Sequence, residues 1–265
     1  MVGGIGAGPS GRPAVLRRIT SLHRDPSERR VARRTVVEGP RALDDAVRNG
    51  VRIVEVAVEE RFDRTSLPAS LAGVPVHVVP DGSLAKAGDL VTGQGVTAVV
   101  EIPAPGSSPL GGLVLVLVDV ADPGNVGTLV RAADAAGAAA VVRVGGADPW
   151  APKVVRASAG SVFRIPLVDD VDPVGGLAAA GFRSVALVAR GGAAPEEVDL
   201  GGDVAVLVGN EARGLPADLV ERCDGLLSIP MSSGVESLNA AIAGSVVLFE
   251  SVRQRRVAAA GGSWT

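Results

Sequence analysis

The sequence predicts an α/β protein with two domains, the second built around a parallel β-sheet. Aromatic residues make up only 2% of the 265 residues and Tyr is absent, so Val, Ala, Leu and Gly must form the interior. Such a composition favours closely packed α/β layers over an aromatic-filled β-sandwich. The run Leu113–Val118 (LVLVLV) is continuously apolar, as expected of a parallel strand that is buried on both faces. Residues 103–112 are rich in Pro, Gly and Ser and have the composition of a linker.

The first domain is predicted at residues 14–102, after a flexible tail at residues 1–13. Helical spacing predicts a helix over Arg41–Asn49, which Gly50 would end. Alternating or apolar runs predict three strands, at Val51–Val58, Val74–Val79 and Val96–Ile102. The tail contains a literal G-x-G-x-x-G at residues 6–11, but no strand can precede it. We interpret it as a chance match to the dinucleotide-binding motif.

The second domain is predicted at residues 113–257, before a flexible tail at residues 258–265. Short apolar runs alternate there with Gly- and Ala-rich helical segments, which predicts βα units around a parallel sheet. The later strands are expected at Ala139–Val144, Val185–Val188 and Val204–Val208, and the last helix from about Glu236 to Arg256.

The residue counts exclude several classes of protein. The single Cys223 rules out an intramolecular disulfide framework and a Cys-rich zinc site. Neither His23 nor His77 has a ligand-like spacing, so we expect no metal, and a Ser-His-Asp enzyme is a poor candidate. No apolar run approaches the roughly 20 residues of a membrane span, and the N-terminus lacks the apolar core of a secretory signal. We therefore expect a soluble, cytoplasmic protein without membrane contact.

Positive charge is concentrated near the N-terminus. Residues 1–41 hold nine Arg and three acidic residues, a net charge of +6, whereas the whole chain has −3 and the remainder therefore −9. Two interpretations are open: a solvated, partly disordered arm, or an Arg cluster that attracts phosphates. The candidates for phosphate contact are Arg29, Arg30, Arg33, Arg34 and Arg41.

Three polar stretches follow predicted strands. They are residues 119–131 with Asn125 and Arg131, residues 209–216 with Glu211, and residues 229–239 with Ser237 and Asn239. Because ligands of open parallel sheets bind beyond the carboxyl ends of the strands, the three stretches are candidates for one site. Each also has a structural interpretation. These are a helix cap by Asn125 and an ion pair between Arg131 and Asp134 in the first stretch, and a capping box of Ser233 with Glu236 in the third. In the second, Glu211 and Arg213 are then ordinary loop charges.

Taken together, the three stretches resemble the signature motifs of the SpoU/TrmH family of RNA ribose 2′-O-methyltransferases, within the SPOUT superfamily. The motifs are N-x-x-x-x-x-R from Asn125, G-N-E-x-x-G-L from Gly209 and I-P-M-x-x-G-x-x-S-L-N from Ile229, with Ala157–Gly160 between the first two. Residues 30–102 resemble the substrate-binding domain of many members, which is related to ribosomal protein L30e. The pairs Glu38-Gly39 and Gln94-Gly95 stand where members often show E-G and H-Q-G, and Gly93 replaces the His.

The resemblance implies a parallel sheet threaded into a deep trefoil knot, bound S-adenosyl-L-methionine, and a homodimer that completes the active site across its interface. It implies catalytic or structural roles for Asn125, Arg131, Glu211, Ser237 and Asn239. It implies a cofactor pocket lined by Leu207, Gly209, Ile229, Met231 and Leu238. A guanidinium is effectively always protonated, so we interpret Arg131 as an electrostatic anchor more than as a general base.

The first domain is similar to that of 23S rRNA and thiostrepton-resistance methyltransferases, which makes 23S rRNA the expected substrate and the Arg cluster an RNA-binding region. Methylation of tRNA is the first alternative. A non-catalytic RNA-binding or ribosome-assembly protein of the same fold is the second, and a nicotinamide dehydrogenase, based on the G-x-G-x-x-G match, is the third.

Overall fold

The computed structural model describes residues 13–88, 93–104, 111–169, 172–232 and 237–261. The chain forms two compact units. The first consists of Met1–Ala104 together with Trp150–Phe163, and the second of Pro105–Pro149 and Arg164–Thr265. The segment Trp150–Phe163 therefore groups with the first unit, although the sequence assigns it to the second domain.

The first unit contains a four-stranded mixed sheet. Its strands are β1 (Arg34–Glu38), β2 (Ile53–Glu59), β3 (Val76–Val79) and β4 (Val96–Glu101), in the order β1-β4-β2-β3. β4 is antiparallel to both β1 and β2, whereas β3 runs parallel to β2. The helices are α1 (Ala14–Arg24), α2 (Pro26–Ala32), α3 (Pro40–Arg48) and α4 (Ser83–Ala87). The predicted helix and the three predicted strands are confirmed as α3, β2, β3 and β4, with small shifts of their ends.

The Arg-rich N-terminal region is folded from residue 13 onward, which corrects the interpretation as a partly disordered arm. α1 places four apolar side chains in the core of the first unit, namely Val15, Leu16, Ile19 and Leu22. Burial of a side chain of this size contributes about 1.5–3 kcal/mol. Arg17 and Arg18 lie on the exposed side of the same helix. α1 is therefore an amphipathic helix. The Arg residues between its apolar positions make the helical pattern difficult to recognise from the sequence.

The second unit contains a six-stranded sheet in which all neighbouring strands are parallel. The strands are β5 (Leu113–Val118), β6 (Ala140–Val144), β7 (Leu167–Asp169), β8 (Arg183–Leu187), β9 (Val204–Val208) and β10 (Gly225–Leu227), in the order β10-β8-β9-β5-β6-β7. The helices in this half of the chain are α5 (Pro123–Ala135), α6 (Pro152–Ala157), α7 (Pro173–Ala179), α8 (Ala217–Glu221) and α9 (Ala240–Ala259). The predicted α/β fold with a parallel sheet is confirmed, and the trefoil knot stays a prediction.

The two most continuous apolar runs of the sequence form the central strands of this sheet, β5 and β9. β5 and β9 are buried along their whole length, because each has a hydrogen-bonded neighbour on both sides and covered faces above and below the sheet. Among the described residues, none of the helices combines the length and the apolar character that a membrane span needs.

The segment Trp150–Phe163 packs against β1 of the first unit. Thr35 Oγ1 donates a hydrogen bond to the carbonyl of Trp150 at 2.7 Å. Arg156 Nη1 on α6 donates to Glu38 Oε2 at 2.6 Å. Burial raises the pKa of Glu38, and the adjacent Arg156 offsets this only in part. The chain thus leaves the second unit after β6, contributes a helix to the first unit, and returns for β7.

Candidate active site

Two loops of the candidate site leave adjacent strands of the second unit. β5 and β9 pair with Leu117 opposite Val208, so the loops that follow these strands emerge side by side at the carboxyl edge of the sheet. Asn210 links the two loops, because its Nδ2 donates to the carbonyl of Asp119 at 2.9 Å. Asn210 Oδ1 accepts from the backbone N–H of Ala212 at 3.0 Å, which closes the second loop into a tight turn.

The carboxylate of Glu211 crosses from the second loop to the first. Its Oε2 accepts from the backbone N–H of Ala121, and its Oε1 from that of Asp122, both at 3.0 Å. Asn125 Nδ2 donates to the same Oε1 at 2.9 Å. Partial burial opposes ionisation of Glu211, but the hydrogen bonds from Asn125, Ala121 and Asp122 outweigh it and lower the pKa from 4.5 to about 2. Glu211 is therefore a fixed anion at neutral pH.

Asn125 connects this carboxylate to the start of α9. Asn239 Nδ2 donates to Asn125 Oδ1 at 2.9 Å. Asn239 Oδ1 in turn accepts from the backbone N–H groups of Ala241 and Ile242, at 2.9 and 3.2 Å, and so caps α9. Each amide uses both its donor and its acceptor, which fixes its orientation. The three predicted polar stretches thus meet in one hydrogen-bonded chain that runs Glu211–Asn125–Asn239.

The helix cap expected at Asn125 and the expected start of the last helix are wrong. The cap of α5 is Asp122, whose side chain accepts from the N–H of Asn125, so Asn125 lies inside the helix and is free to bond across loops. α9 begins at Ala240 with Asn239 as its cap, and not near Glu236. The expected capping box of Ser233 with Glu236 lies outside the described residues.

Arg131 is in the third turn of α5 and is exposed. The alternative ion pair with Asp134 is not formed, because Asp134 pairs with Arg164, whose Nη2 lies 2.6 Å from its Oδ2. Within the described ranges, no side chain forms a hydrogen bond or an ion pair with Arg131. Ser237 is also exposed and makes no side-chain hydrogen bond there. These two predicted residues stand outside the hydrogen-bonded chain.

The candidate cofactor residues fall into two groups. Ile229 and Met231 are half-buried and Leu238 is exposed, so these side chains are accessible to a ligand. Leu207 lies in the middle of β9, fully buried in the apolar core. The structure therefore assigns the Leu207 side chain to core packing instead of a pocket wall, because both faces of the sheet are covered at this position.

Two glycines allow loops at the carboxyl edge to approach one another closely. A Cβ on Gly209 would lie 2.4 Å from the carbonyl carbon of Gly214 and 2.5 Å from the nitrogen of Leu215. A Cβ on Gly192, in the loop after β8, would lie 2.5 Å from the carbonyl carbon of Leu227. Neither site has room for a side chain. Gly209 was expected from the motif, whereas Gly192 was missed because it stands in an ordinary Gly-rich loop.

The five Arg residues predicted to contact phosphate differ in their surroundings. Arg29 is only 3% exposed, and its Nη1 donates to the carbonyls of Leu22 and His23 at 2.6 and 3.3 Å. It satisfies carbonyls of the last turn of α1, so its assignment to RNA contact is corrected to a structural role. Arg33 is exposed, and its Nη2 donates to the carbonyl of Pro103 at 3.0 Å. The remaining three are exposed or half-buried, namely Arg30, Arg34 and Arg41.

Comparison with known families decides the classification. The sequence profile of the SpoU rRNA Methylase family matches residues 112–249. The chain belongs to this family. All five residues of the three motifs that were assigned to the site, Asn125, Arg131, Glu211, Ser237 and Asn239, fall within the matched range.

One relative of this SpoU family member extends over both units. A 23S rRNA guanosine 2′-O-methyltransferase of Bacillus subtilis, RlmP, is 32% identical over 218 residues, which are 81% of this chain and 86% of the relative. A second 23S rRNA guanosine 2′-O-methyltransferase, RlmB of Pseudomonas putida, is 40% identical over 149 residues, 55% of this chain and 60% of the relative.

Solved structures agree with the classification. The SpoU methyltransferase AviRb of Streptomyces viridochromogenes, in complex with AdoMet, covers 92% of this chain and 98% of its own, with a TM-score of 0.79 and 29% identity. An AdoMet-bound rRNA methyltransferase of Sinorhizobium meliloti has the same TM-score and 31% identity, with 91% of this chain and 94% of its own covered. The predicted family is confirmed.

Proposed function

We propose that the chain transfers the methyl group of S-adenosyl-L-methionine to a ribose 2′-hydroxyl of 23S rRNA. The observation that carries the proposal is the hydrogen-bonded chain Glu211–Asn125–Asn239, which joins the three motif stretches at the carboxyl edge of the sheet. A relative that matches 81% of this chain is named a 23S rRNA guanosine 2′-O-methyltransferase, which makes a guanosine ribose of this RNA the first substrate to test.

The loops after β8, β9 and β10 suit the cofactor. Gly192 and Gly209 bring backbone against backbone without intervening side chains, so amide and carbonyl groups line this edge. Beside them, Ile229, Met231 and Leu238 provide apolar surface that water or a ligand reaches. Backbone polar groups beside apolar side chains are suited to a nucleoside with a methionine chain. When bound, S-adenosyl-L-methionine supplies an electrophilic methyl group on sulfur.

The residues of the site divide into two roles. The polar atoms of Glu211, Asn125 and Asn239 are directed at one another and at backbone N–H groups, so we assign them to positioning the loops. Arg131 and Ser237 keep their polar groups exposed and are available to the RNA. Arg131 stabilises the phosphate beside the reacting ribose and the negative charge that develops on its oxygen, while Ser237 orients the sugar.

The exposed face of α9 supports a homodimer. Ile242, Val246 and Phe249 are 54%, 43% and 50% exposed, and Leu238 just before the helix is 38% exposed. Their spacing of three or four residues places them on one side of the helix, directly after the Asn239 cap. A contiguous apolar stripe of this kind marks an interaction surface. A second copy packed on it would lie next to the candidate site, as expected if the active site is completed across the interface.

A direct assay separates the candidate functions. The purified chain is incubated with methyl-labelled S-adenosyl-L-methionine and, separately, with unmodified 23S rRNA and with tRNA. We expect label to enter 23S rRNA as a 2′-O-methylribose, detected after nuclease digestion. Transfer to tRNA alone would favour the alternative substrate. Saturable cofactor binding without transfer to either RNA would contradict the proposal and favour a non-catalytic RNA-binding protein.

A further inference from the structure

A cleft of about 390 Å³ lies in the first unit. Its lining includes Pro40 and Arg41 at the start of α3, and Phe62, Ser66 and Leu67 from the stretch after β2. The volume falls within the range of about 300–1,000 Å³ that is typical of ligand pockets. The cleft combines an aromatic ring, a cation and a hydroxyl group, which is a suitable set for a nucleotide.

The Phe62 ring is held in place from behind. Gly95 has φ +76°, and a Cβ there would lie 3.1 Å from Phe62 Cδ2, so this turn packs closely against the ring. The turn is fixed because the N–H of Glu59 donates to the carbonyl of Gly95 at 2.8 Å. Phe62 therefore has one side supported by backbone while it also lines the cleft. A half-buried, supported ring loses little entropy when a flat group stacks on it.

The E-G and Q-G pairs singled out in the sequence meet at the same place. Gly39 has φ +91°, and a Cβ there would lie 2.2 Å from Gln94 Oε1. The N–H of Gly39 donates to the carbonyl of Val96 at 2.9 Å. Because Gly39 has no side chain, the Gln94 side chain can lie against the backbone at the start of α3. Gly95, which follows Gln94, packs against Phe62. Gly39 directly precedes α3 and Gly95 contacts Phe62, so the two pairs adjoin two of the elements that line the cleft.

Charge at the cleft favours an anion at one end. Arg41 is exposed, and the N-cap residue of α3, Gly39, provides no side-chain cap, so the positive end of the helix is open. Asp44 also lines the cleft, but its Oδ2 lies 2.5 Å from Arg48 Nη2. Because that ion pair compensates its charge, Asp44 does not oppose an anion bound near Arg41.

We propose that this cleft takes one unstacked nucleotide of the RNA substrate, with its base against the Phe62 ring and its phosphate at Arg41. The inference rests on the proposed RNA substrate. It adds a second RNA contact, located in the first unit, which recognises single-stranded RNA. Aromatic side chains bind splayed-out bases of RNA loops in this way, since every base has a face on which to stack.

The test measures RNA binding by the full chain without methyl donor. A short fluorescein-labelled single-stranded RNA is titrated by fluorescence anisotropy, in parallel with the same strand in a duplex. Phe62→Ala should weaken binding of the single strand by about 5- to 150-fold, the equivalent of about 1–3 kcal/mol of base stacking, and leave the duplex unchanged. Phe62→Tyr should bind like the parent, because it keeps the ring.

Further variants distinguish RNA binding in the cleft from general electrostatic attraction and from a folding defect. Arg41→Ala should reduce the slope of log affinity against log salt by about 0.7, whereas Arg52→Ala, which removes the same charge outside the cleft, should weaken single-strand and duplex binding equally. Ser66→Glu fills the cleft from an exposed position and should reproduce the Phe62→Ala defect even if that variant folds poorly. Single-strand binding that is unchanged in both Phe62→Ala and Ser66→Glu would overturn the inference. Because no methyl donor is present, failure of methyl transfer leaves this readout intact.

Discussion

Replacing Glu211 by Gln tests the geometry of the site in isolation from catalysis. The carboxylate accepts three hydrogen bonds, from the N–H groups of Ala121 and Asp122 and from Asn125. An amide of the same size keeps one oxygen and turns an NH2 group toward a donor, so at least one bond is lost. Hydrogen bonds to charged groups contribute about 1.5–3 kcal/mol, and solvent access to Glu211 reduces this. We expect Glu211→Gln to lower the free energy of unfolding at pH 7 by about 1–2 kcal/mol.

The pH dependence provides a second signature of the same variant. The pKa of Glu211 is lowered in the folded chain to about 2 from 4.5, so the folded state favours the anion. Its contribution to stability is fully present above about pH 4.5 and is lost as the pH falls toward 2. The difference between the parent and Glu211→Gln should therefore be constant from pH 6 to 8 and shrink below about pH 4.5.

The assay is urea unfolding at a series of pH values. Glu221→Gln is the matched control, since Glu221 ends α8 in an exposed position and, among the described residues, makes no side-chain hydrogen bond. It should leave the free energy of unfolding unchanged within about 0.5 kcal/mol. A Glu211→Gln variant as stable as the parent at pH 7, or a difference that does not shrink in acid, would refute the reasoning.

Three other changes address catalysis, the cofactor and assembly. Arg131→Ala should lower turnover about 10²-fold or more and leave cofactor affinity unchanged by calorimetry, because the side chain is exposed and, within the described part of the chain, forms no hydrogen bond or ion pair; retained turnover would remove Arg131 from the mechanism. Gly209→Ala should abolish cofactor binding in the same calorimetric titration, since a Cβ would lie 2.4 Å from the backbone of Gly214, and unchanged affinity would place the cofactor elsewhere. Val246→Asp should convert a dimer to a monomer in light scattering, because it places a charge in the apolar stripe of α9; an unchanged mass would argue against that interface.

Much of the second unit follows from local sequence. The runs Leu113–Val118 and Val204–Val208 are the observed strands β5 and β9 with the same ends, because a strand buried on both faces must be apolar at every position. The three motif stretches could be placed at one edge of the sheet, since carboxyl ends of parallel strands share an edge. The order of the strands and the bonds between Glu211, Asn125 and Asn239 depend on tertiary packing, which the sequence pattern does not specify.

The errors have definite physical causes. The last helix was expected from about Glu236, but α9 begins at Ala240, because Asn239 caps well and its amide can satisfy α9 and Asn125 at once. Arg29 was grouped with the exposed Arg residues because many of its neighbours in the sequence are charged. In the structure, its guanidinium donates hydrogen bonds to carbonyls at the end of α1. The attachment of Trp150–Phe163 to the first unit depends on contacts more than a hundred residues apart in sequence, such as Arg156 with Glu38.

Mapping of 2′-O-methyl groups on rRNA tests whether this chain methylates a ribose of 23S rRNA. Ribosomal RNA from cells with the gene, without it, and with the Arg131→Ala form restored is compared nucleotide by nucleotide. We expect one 2′-O-methyl group in 23S rRNA that is present only with the intact gene. Identical methylation patterns in all three strains would contradict it.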